Sequence, residues 1–395
     1  MFYRKPCRNS LTIYRTPFRS SVERLLQICD THIRVQSTFY CNVPSMKVKA
    51  FQHTNPSGMT DGGMSRRRFF RQSGAAALST MLLTSCDNLL EKIIPSKKDK
   101  RDKTLAFFGD SFTVGTGGSR SLGEWVGDAF PERPVFTDGI NGQLALSIAV
   151  RQGGVPLTLS VAGGKFDGEK PVTVTKLSNE FLPTTLDANV YSRTGTLVGV
   201  RCTITRRFVP EMGEHYTVQP LAEDETGTSA ELPVDIEIPD DSVFELDDAV
   251  RVRTATQILW YGRNDMTRGK PEENILMAIK SSVDYIIEPR RYLVLGILLA
   301  TTENKGTDRY AKVTAFNDEL ALYYRNSYVP MTPPTEPEMK DIGFTPTAGD
   351  LEDIEKGNFP SRMRAANSAD EIHLNNFGYR IVANRVVKKI KDLKY

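Results

Sequence analysis

A serine in a glycine-rich turn is the first residue of this sequence with an evident chemical use. The apolar run 104–108 is typical of a buried parallel strand and leads directly into Gly109-Asp110-Ser111. Open α/β sheets place their active sites beyond the carboxyl ends of strands, where Ser111 would lie. The glycines that follow are not succeeded by Gly-Lys-Ser/Thr, which argues against a nucleotide phosphate loop. Taken alone, Gly-Asp-Ser is equally typical of an ordinary turn.

Three further segments place polar residues directly after a predicted strand or directly before a predicted helix. They are 137–143 before a helix-like run at 144–151, Gly262-Arg263-Asn264-Asp265 after the apolar strand 258–261, and Asp370-Glu371-Ile372-His373 before an apolar helix at 381–390. With the serine turn, these segments resemble, in order, the signature blocks of the SGNH (GDSL-type) hydrolases. One departure from the family pattern is Phe112, where the family has leucine.

The resemblance implies roles for five residues. Ser111 would be the nucleophile, and His373 and Asp370 would complete a catalytic triad. The backbone N–H groups of Ser111 and Gly142 and the side-chain amide of Asn264 would form the oxyanion hole. Glycine suits position 142 because its backbone can approach a ligand closely, although by itself it would equally suit a turn at the start of a helix.

The histidine count provides a check on His373. The chain has four histidines, and His32 and His53 precede the export signal described below, which leaves His215 and His373. A serine hydrolase needs a general base that titrates near neutral pH. His215 lies between apparent β-strands, where a surface or hydrogen-bonded core role is favoured. His373 is therefore the candidate base.

No metal or other cofactor is predicted. Two histidines and one free cysteine without paired spacing cannot build a standard zinc centre. Asp110 and Asp265 flank the candidate site within the signature blocks, where we expect them to hold the loops. After the signal only Cys86 and Cys202 remain, so no disulfide framework is expected.

The predicted strands and helices around these residues indicate an α/β protein. The resemblance implies a three-layer SGNH-hydrolase (flavodoxin-like) fold with a parallel sheet. Between 151 and 256 the chain is instead rich in β-branched residues bounded by turn formers, which predicts an inserted antiparallel sandwich or barrel. Strands are predicted there at 155–161, 171–175, 196–205 and 232–238. After the insert we expect helices near 271–287 and 308–326 and a strand at 291–300.

An export signal precedes the folded part. Residues 65–71 resemble a twin-arginine signal, and the apolar run 74–83 is shorter than the roughly 20 residues that span a bilayer. Leu83-Thr84-Ser85-Cys86 resembles a bacterial lipobox, which implies acylation of Cys86 and a lipoprotein anchored on the periplasmic or cell-surface side. The alternative is a buried helix preceded by a basic turn.

These features divide the chain into six predicted segments. They are 1–63, an uninterpreted extension that a start at Met59 or Met64 would remove; 64–86, the signal; 87–103, a charged linker; 104–150, the first part of the hydrolase domain; 151–256, the β-rich insert; and 257–395, the second part of the hydrolase domain. Residues 1–85 hold 13 of the 51 basic and 3 of the 48 acidic residues, so the remainder has 38 against 45, or −7. This balance argues against a nucleic-acid partner.

The sequence thus predicts a serine esterase that removes short acyl groups, acetyl above all, from a glycan or related ester outside the cytoplasm. Its predicted partners are that substrate and a lipid bilayer, through acylated Cys86. Certain family members with a β insertion at this point act on polysaccharides, which suggests the same role here. One alternative is a lysophospholipase or thioesterase, against which the lack of a long apolar lid counts. The other is a glycan-binding lipoprotein with an inert core, against which the five intact site residues count.

Overall fold

A computed structural model describes residues 101–184, 189–221, 234–365 and 370–395. The extension at 1–63, the predicted signal at 64–86 and its Cys86 lie outside these ranges. All the described residues belong to one compact unit of the chain. Within them, no helix is both long enough and apolar enough to cross a membrane.

The described residues form thirteen strands and ten α-helices. The strands are β1 (Leu105–Gly109), β2 (Val135–Gly139), β3 (Leu157–Val161), β4 (Lys165–Asp167), β5 (Val172–Leu177), β6 (Tyr191–Leu197), β7 (Val200–Val209), β8 (Gly213–Pro220), β9 (Val234–Glu237), β10 (Ser242–Leu246), β11 (Thr256–Trp260), β12 (Tyr292–Leu295) and β13 (Tyr328–Val329). The helices are α1 (Ser111–Val114), α2 (Leu122–Gly127), α3 (Ala145–Gln152), α4 (Asp247–Arg251), α5 (Arg263–Thr267), α6 (Glu272–Tyr285), α7 (Asp308–Tyr324), α8 (Glu336–Asp341), α9 (Ala348–Glu355) and α10 (Asn376–Asp392).

A parallel sheet lies at the centre of an α/β arrangement. Its strand order is β13–β12–β11–β1–β2, and helices cover both of its faces. On β1, Leu105 and Phe107 pack in a core with α2 and α10, whereas Ala106 and Phe108 pack in a second core with α3, α6 and α7. Alternate side chains of a strand point to opposite faces, so this one apolar run supplies both cores. The predicted three-layer α/β architecture is observed.

The carboxyl ends of three neighbouring strands are level with one another. Gly109 at the end of β1 is in register with Gly139 of β2 and with Trp260 of β11. The chain places β2 on one side of β1 and later β11 on the other, so the strand order reverses at β1. Ligands of such sheets bind in the crevice at this reversal. The segments that follow β1, β2 and β11 therefore meet at one edge.

A β-barrel lies between β2 and β11 in the chain. Six antiparallel strands of the described chain close it in the order β10–β3–β5–β8–β7–β6. Apolar side chains of five strands form its buried core, among them Leu159, Leu197, Ile204, Val218 and Phe244, and partly buried side chains of β5 pack against it. Of the predicted sandwich or barrel, the barrel is the form observed.

Three of the predicted strands differ from the structure. The run 196–205 is a hairpin rather than one strand, because Val198 and Gly199 adopt φ values of 45° and 82° and turn the chain between β6 and β7. The described part of 232–238 is β9, which pairs with β4 outside the barrel. The strand predicted at 291–300 spans only β12.

Candidate active site

Ser111 is the first residue of α1, immediately beyond β1. Asp110 caps this helix, since its Oδ1 accepts a hydrogen bond from Phe112 N–H at 3.0 Å. Gly109 lets the turn approach β11 closely, because a Cβ there would lie 2.1 Å from Thr113 Oγ1 and 2.7 Å from Trp260 O. The strand end and the cap together fix Ser111, which is 6% exposed, at the edge of the sheet.

Ser111, His373 and Asp370 form one hydrogen-bonded chain. Ser111 Oγ lies 2.7 Å from His373 Nε2, and His373 Nδ1 lies 2.7 Å from Asp370 Oδ2. Burial would raise the pKa of Asp370, but the hydrogen bonds that it accepts from His373 and from Ile372 N–H lower it. Asp370 therefore stays ionised and can hold the imidazole in one orientation.

A buried arginine and an aromatic ring support the histidine. Arg364 donates to Ile372 O at 3.0 Å and to Leu299 O at 2.9 Å, and His373 O accepts from Ala365 N–H. Burial lowers the pKa of Arg364 to about 10. The Phe112 ring lies 5.5 Å from the imidazole centroid and stacks on Trp260 at 4.7 Å. Phe112 thus fills the core beneath His373.

The loop after β2 carries Gly142. Ile140 N–H donates to Gly109 O, and Thr116 Oγ1 donates to Asn141 Oδ1, so this loop lies against the turn that carries Ser111. Gly142 has a φ of 74°, which favours glycine. Among the described residues, neither Gly142 N–H nor Ser111 N–H has an acceptor. Both donors are therefore available to a ligand.

Asn264 lies between the two loops, and its amide is already engaged. Its Nδ2 donates to Asp110 Oδ2 at 3.1 Å and to Gln143 O at 3.0 Å. An amide nitrogen has two hydrogens. Asn264 can therefore donate to an oxyanion only if one of these bonds is shared or broken, which the sequence did not reveal.

Two buried carboxylates hold the loops around the site. Burial raises the pKa of Asp110 to about 7, helped by the nearby Asp265 and opposed by the Phe112 N–H and by Arg263 and Arg151. Burial also raises the pKa of Asp265, whose Oδ2 accepts from Ala145 N–H at 2.9 Å. Each carboxylate thus fixes the start of a helix at the edge of the sheet.

Arg151 joins the strand ends behind the site, and the sequence analysis missed it. Its guanidinium donates to Gly109 O and to Asp138 O, both at 3.0 Å, and lies 2.8 Å from Asp138 Oδ1. The side chain is 1% exposed. The sequence signal for a buried role of Arg151 was its place as the single charged residue of the helix at 145–152.

A cavity lined by both polar and apolar groups adjoins His373 and Asp370. Its volume is about 420 Å³, and its lining includes Thr302, Arg309 and Glu371. Arg263 also lines it but forms a bidentate ion pair with Glu303 at 2.8 and 2.9 Å. The cavity thus presents polar groups beside the imidazole.

The remaining candidates lie in the barrel. His215 is on β8, where its Nδ1 lies 3.3 Å from Gly213 O. Cys202 is buried on β7, and burial raises the pKa of its thiol to about 12. Within the described ranges, no cluster of three or more histidine, cysteine, aspartate or glutamate residues could hold a metal ion.

Comparisons with known proteins found similarity in structure alone. No family model matches the sequence, and a search of curated proteins found no match. A member of the lipolytic protein G-D-S-L family from Veillonella parvula is 12% identical, with a TM-score of 0.35 over 72% of this chain and 96% of its own. A catalytic mutant of an acetylxylan esterase from Geobacillus stearothermophilus is 10% identical, with a TM-score of 0.36 over 73% and 94%. Such distant similarity carries no conclusion about activity, which depends on the geometry of this chain.

Proposed function

We propose that the protein is a serine esterase that removes short acyl groups, acetyl above all, from glycans or other polar esters outside the cytoplasm. The observation that carries the proposal is the hydrogen-bond chain from Ser111 through His373 to Asp370, with both links at 2.7 Å. A base so placed takes the proton of the hydroxyl as it attacks a carbonyl, which is the first step of acyl transfer.

Two half-reactions follow from this arrangement. Ser111 Oγ attacks the ester carbonyl carbon while its proton passes to His373 Nε2, and Asp370 stabilises the imidazolium. His373 then protonates the leaving alcohol oxygen, the ester C–O bond breaks, and acyl-Ser111 remains. In the second half, His373 deprotonates a water that attacks the acyl group, and the acid leaves as Ser111 recovers its proton.

Three donors would stabilise the developing oxyanion. The N–H groups of Ser111 and Gly142 are available without rearrangement, whereas Asn264 must share a bond that it makes in the resting state. Removal of one such donor typically costs about 3–4 kcal/mol of transition-state stabilisation.

The polar side chains in the cavity beside His373 support the proposal of a hydrophilic leaving group. The alcohol must leave on the side of the imidazole, because His373 protonates it. The cavity beside His373 carries hydroxyl and charged side chains such as Thr302 and Arg309. Hydroxyl and charged groups can bind a hydroxyl-rich alcohol such as a sugar, and on this ground we propose a glycan ester rather than a lysophospholipid or thioester.

A substrate panel tests the proposal. The full chain, purified in detergent, would be assayed with p-nitrophenyl acetate, butyrate and palmitate and with acetylated glycans. We expect Ser111-dependent hydrolysis that is fastest for acetyl esters. Ser119→Ala, in the same loop but hydrogen-bonded to Asn376, is the matched control. Preference for the palmitate ester would favour the lipid alternative, and no hydrolysis of any ester would favour an inert core.

The remaining proposals concern domain organisation and location. We propose that 151–256 is an insertion into one hydrolase domain formed by 104–150 and 257–395, because the barrel strands lie in the chain between strands of a single parallel sheet. We further propose that Cys86 anchors the exported protein in a membrane.

The anchor is tested in cells grown with labelled fatty acid. Cys86→Ala should abolish labelling and leave the protein unprocessed or soluble, because lipidation is what holds such a domain to a bilayer. Label that persists in this variant would exclude Cys86.

A further inference from the structure

We infer that the barrel is a positioning element of the proposed esterase site, because it holds both ends of the segment that carries Gly142. That segment, 139–144, links β2 to α3 and contains no helix or strand beyond its first residue. The inference depends on the proposed function for its effect on catalysis.

The first contact is at the β2 end of the segment. Arg193 of barrel strand β6 donates from Nη2 to Asp138 Oδ1 at 3.4 Å. Asp138 is 6% exposed, and the same oxygen lies 2.8 Å from Arg151 Nη1. A buried carboxylate between two guanidinium groups is strongly held. Asp138 directly precedes Gly139, so its position sets where the segment begins.

The second contact is at the α3 end. Ser147, in the first turn of α3, donates from Oγ to Asn179 Oδ1 at 2.8 Å. Asn179 follows barrel strand β5 in the chain. On the same helix, Val150 belongs to the barrel's apolar core. The barrel therefore holds the helix that ends the segment by both a polar and an apolar contact.

The hydrolase side holds the same segment from the opposite direction. Asp265 accepts from Ala145 N–H, and Arg268 donates to Gly142 O at 3.0 Å. At the β2 end, Arg151 of α3 and the pairing of β1 with β2 also hold Asp138, and the barrel's Arg193 adds a further contact there. Because an oxyanion donor must meet the developing charge without rearrangement, loss of a contact at either end would lower the rate of the chemical step more than substrate affinity.

The test compares two barrel arginines. Arg193→Met removes the contact with Asp138. Arg201→Met is the matched control, because Arg201 pairs with Asp247 at 3.3 Å and its side chain is 33% exposed, against 3.4 Å and 32% for Arg193. Asn179→Ala breaks the second contact independently. Each full-length variant would be assayed with p-nitrophenyl acetate, and the amide hydrogen exchange of 139–144 would be measured.

We expect Arg193→Met and Asn179→Ala each to lower kcat about tenfold, with KM changed by less than about twofold. Amide exchange in 139–144 should become faster in both variants. Arg193→Lys should recover most of the rate, because it keeps a positive charge near Asp138. Arg201→Met should leave the rate and the exchange unchanged.

An unchanged kcat in both variants of an active enzyme would overturn the inference, and so would an unchanged exchange rate. An equal loss in Arg201→Met would also overturn it, because the effect would then be general to the barrel. If the wild-type chain hydrolyses no ester, the proposed function fails, and hydrogen exchange alone decides whether the barrel holds the segment.

Discussion

The parallel sheet and the barrel bury their strands in different ways. Every residue of β1 and of β11 is buried, because helices cover both faces of the sheet. Strands β6 and β10 contain buried and accessible residues, since a barrel has one interior. Strands β1 and β11 are mostly apolar because both of their faces are covered, and the polar groups of the candidate site follow the ends of these strands.

The sheet and the barrel accordingly contribute to the site in different ways. Ser111, Gly142 and Asn264 follow β1, β2 and β11, and all three are candidates to touch the reacting atoms. Arg193 lies within a barrel strand and reaches the site only through Asp138. The comparison predicts that changes at the strand ends act on chemistry, that changes in the apolar core of the barrel act on stability, and that Arg193 acts on chemistry indirectly through Asp138.

The largest effect is expected at the end of β1. Ser111→Ala should lower kcat by about 10⁶-fold with the fold retained, because the members of a triad act as a unit. Steady-state kinetics with p-nitrophenyl acetate and circular dichroism would measure both. Ser242→Ala on barrel strand β10 is the control and should leave kcat unchanged. An equal loss of kcat in the two variants would contradict the predicted difference between the strand ends and the barrel.

A smaller loss is expected at the end of β11. Asn264→Ala should lower kcat by about 10²–10³-fold with little change in KM, because an oxyanion donor acts mainly in the transition state. Separate determination of kcat and KM checks this. A rise in KM alone would instead place Asn264 in substrate binding.

A core change in the barrel should affect stability instead. Leu159 is fully buried in the barrel core. Leu159→Ala should lower the free energy of unfolding by about 2–5 kcal/mol, measured by denaturant titration. Its kcat at 25 °C should stay within about twofold of wild type. Val243→Ala, at a 49% exposed position on β10, should change the free energy of unfolding by less than about 0.5 kcal/mol.

A pH dependence of stability is expected at the sheet edge. The pKa of Asp110 is about 7 in the folded chain, against about 3.9 in an unfolded one. The folded state therefore binds this proton more tightly, so the contribution of Asp110 to stability is full below about pH 4 and is lost as the pH rises towards 7. The loss is at most about 1.4 kcal/mol per pH unit.

Asp110→Asn isolates this contribution, because the amide does not titrate. The free energy of unfolding of wild type minus that of the variant should fall between about pH 4 and 7 and then level off. Denaturant titrations across that range measure the difference. A difference independent of pH would mean that Asp110 is ionised throughout.

Local patterns were enough to predict two of the parallel strands, β1 and β11, and the polar residues that follow them. The run 105–108 has no polar residue, which predicts a strand buried on both faces, and β1 (Leu105–Gly109) lies there. The same holds for 258–261 and β11, and the helix at 145–152 follows its apolar spacing. The roles of Ser111, Gly142, Asn264, Asp370 and His373 stay predictions that the experiments above test.

Tertiary structure alone decided which polar groups meet. Ser111 and His373 are 262 positions apart, and Arg193 and Asp138 are 55 apart. The strand pattern at 196–205 did not reveal its hairpin, because β-branched residues favour strands on both sides of a turn. The burial of Arg151 likewise depends on carbonyl groups of two strands that only the folded sheet brings together. Periodicity describes one element at a time, whereas a site is formed by the packing of several elements against each other.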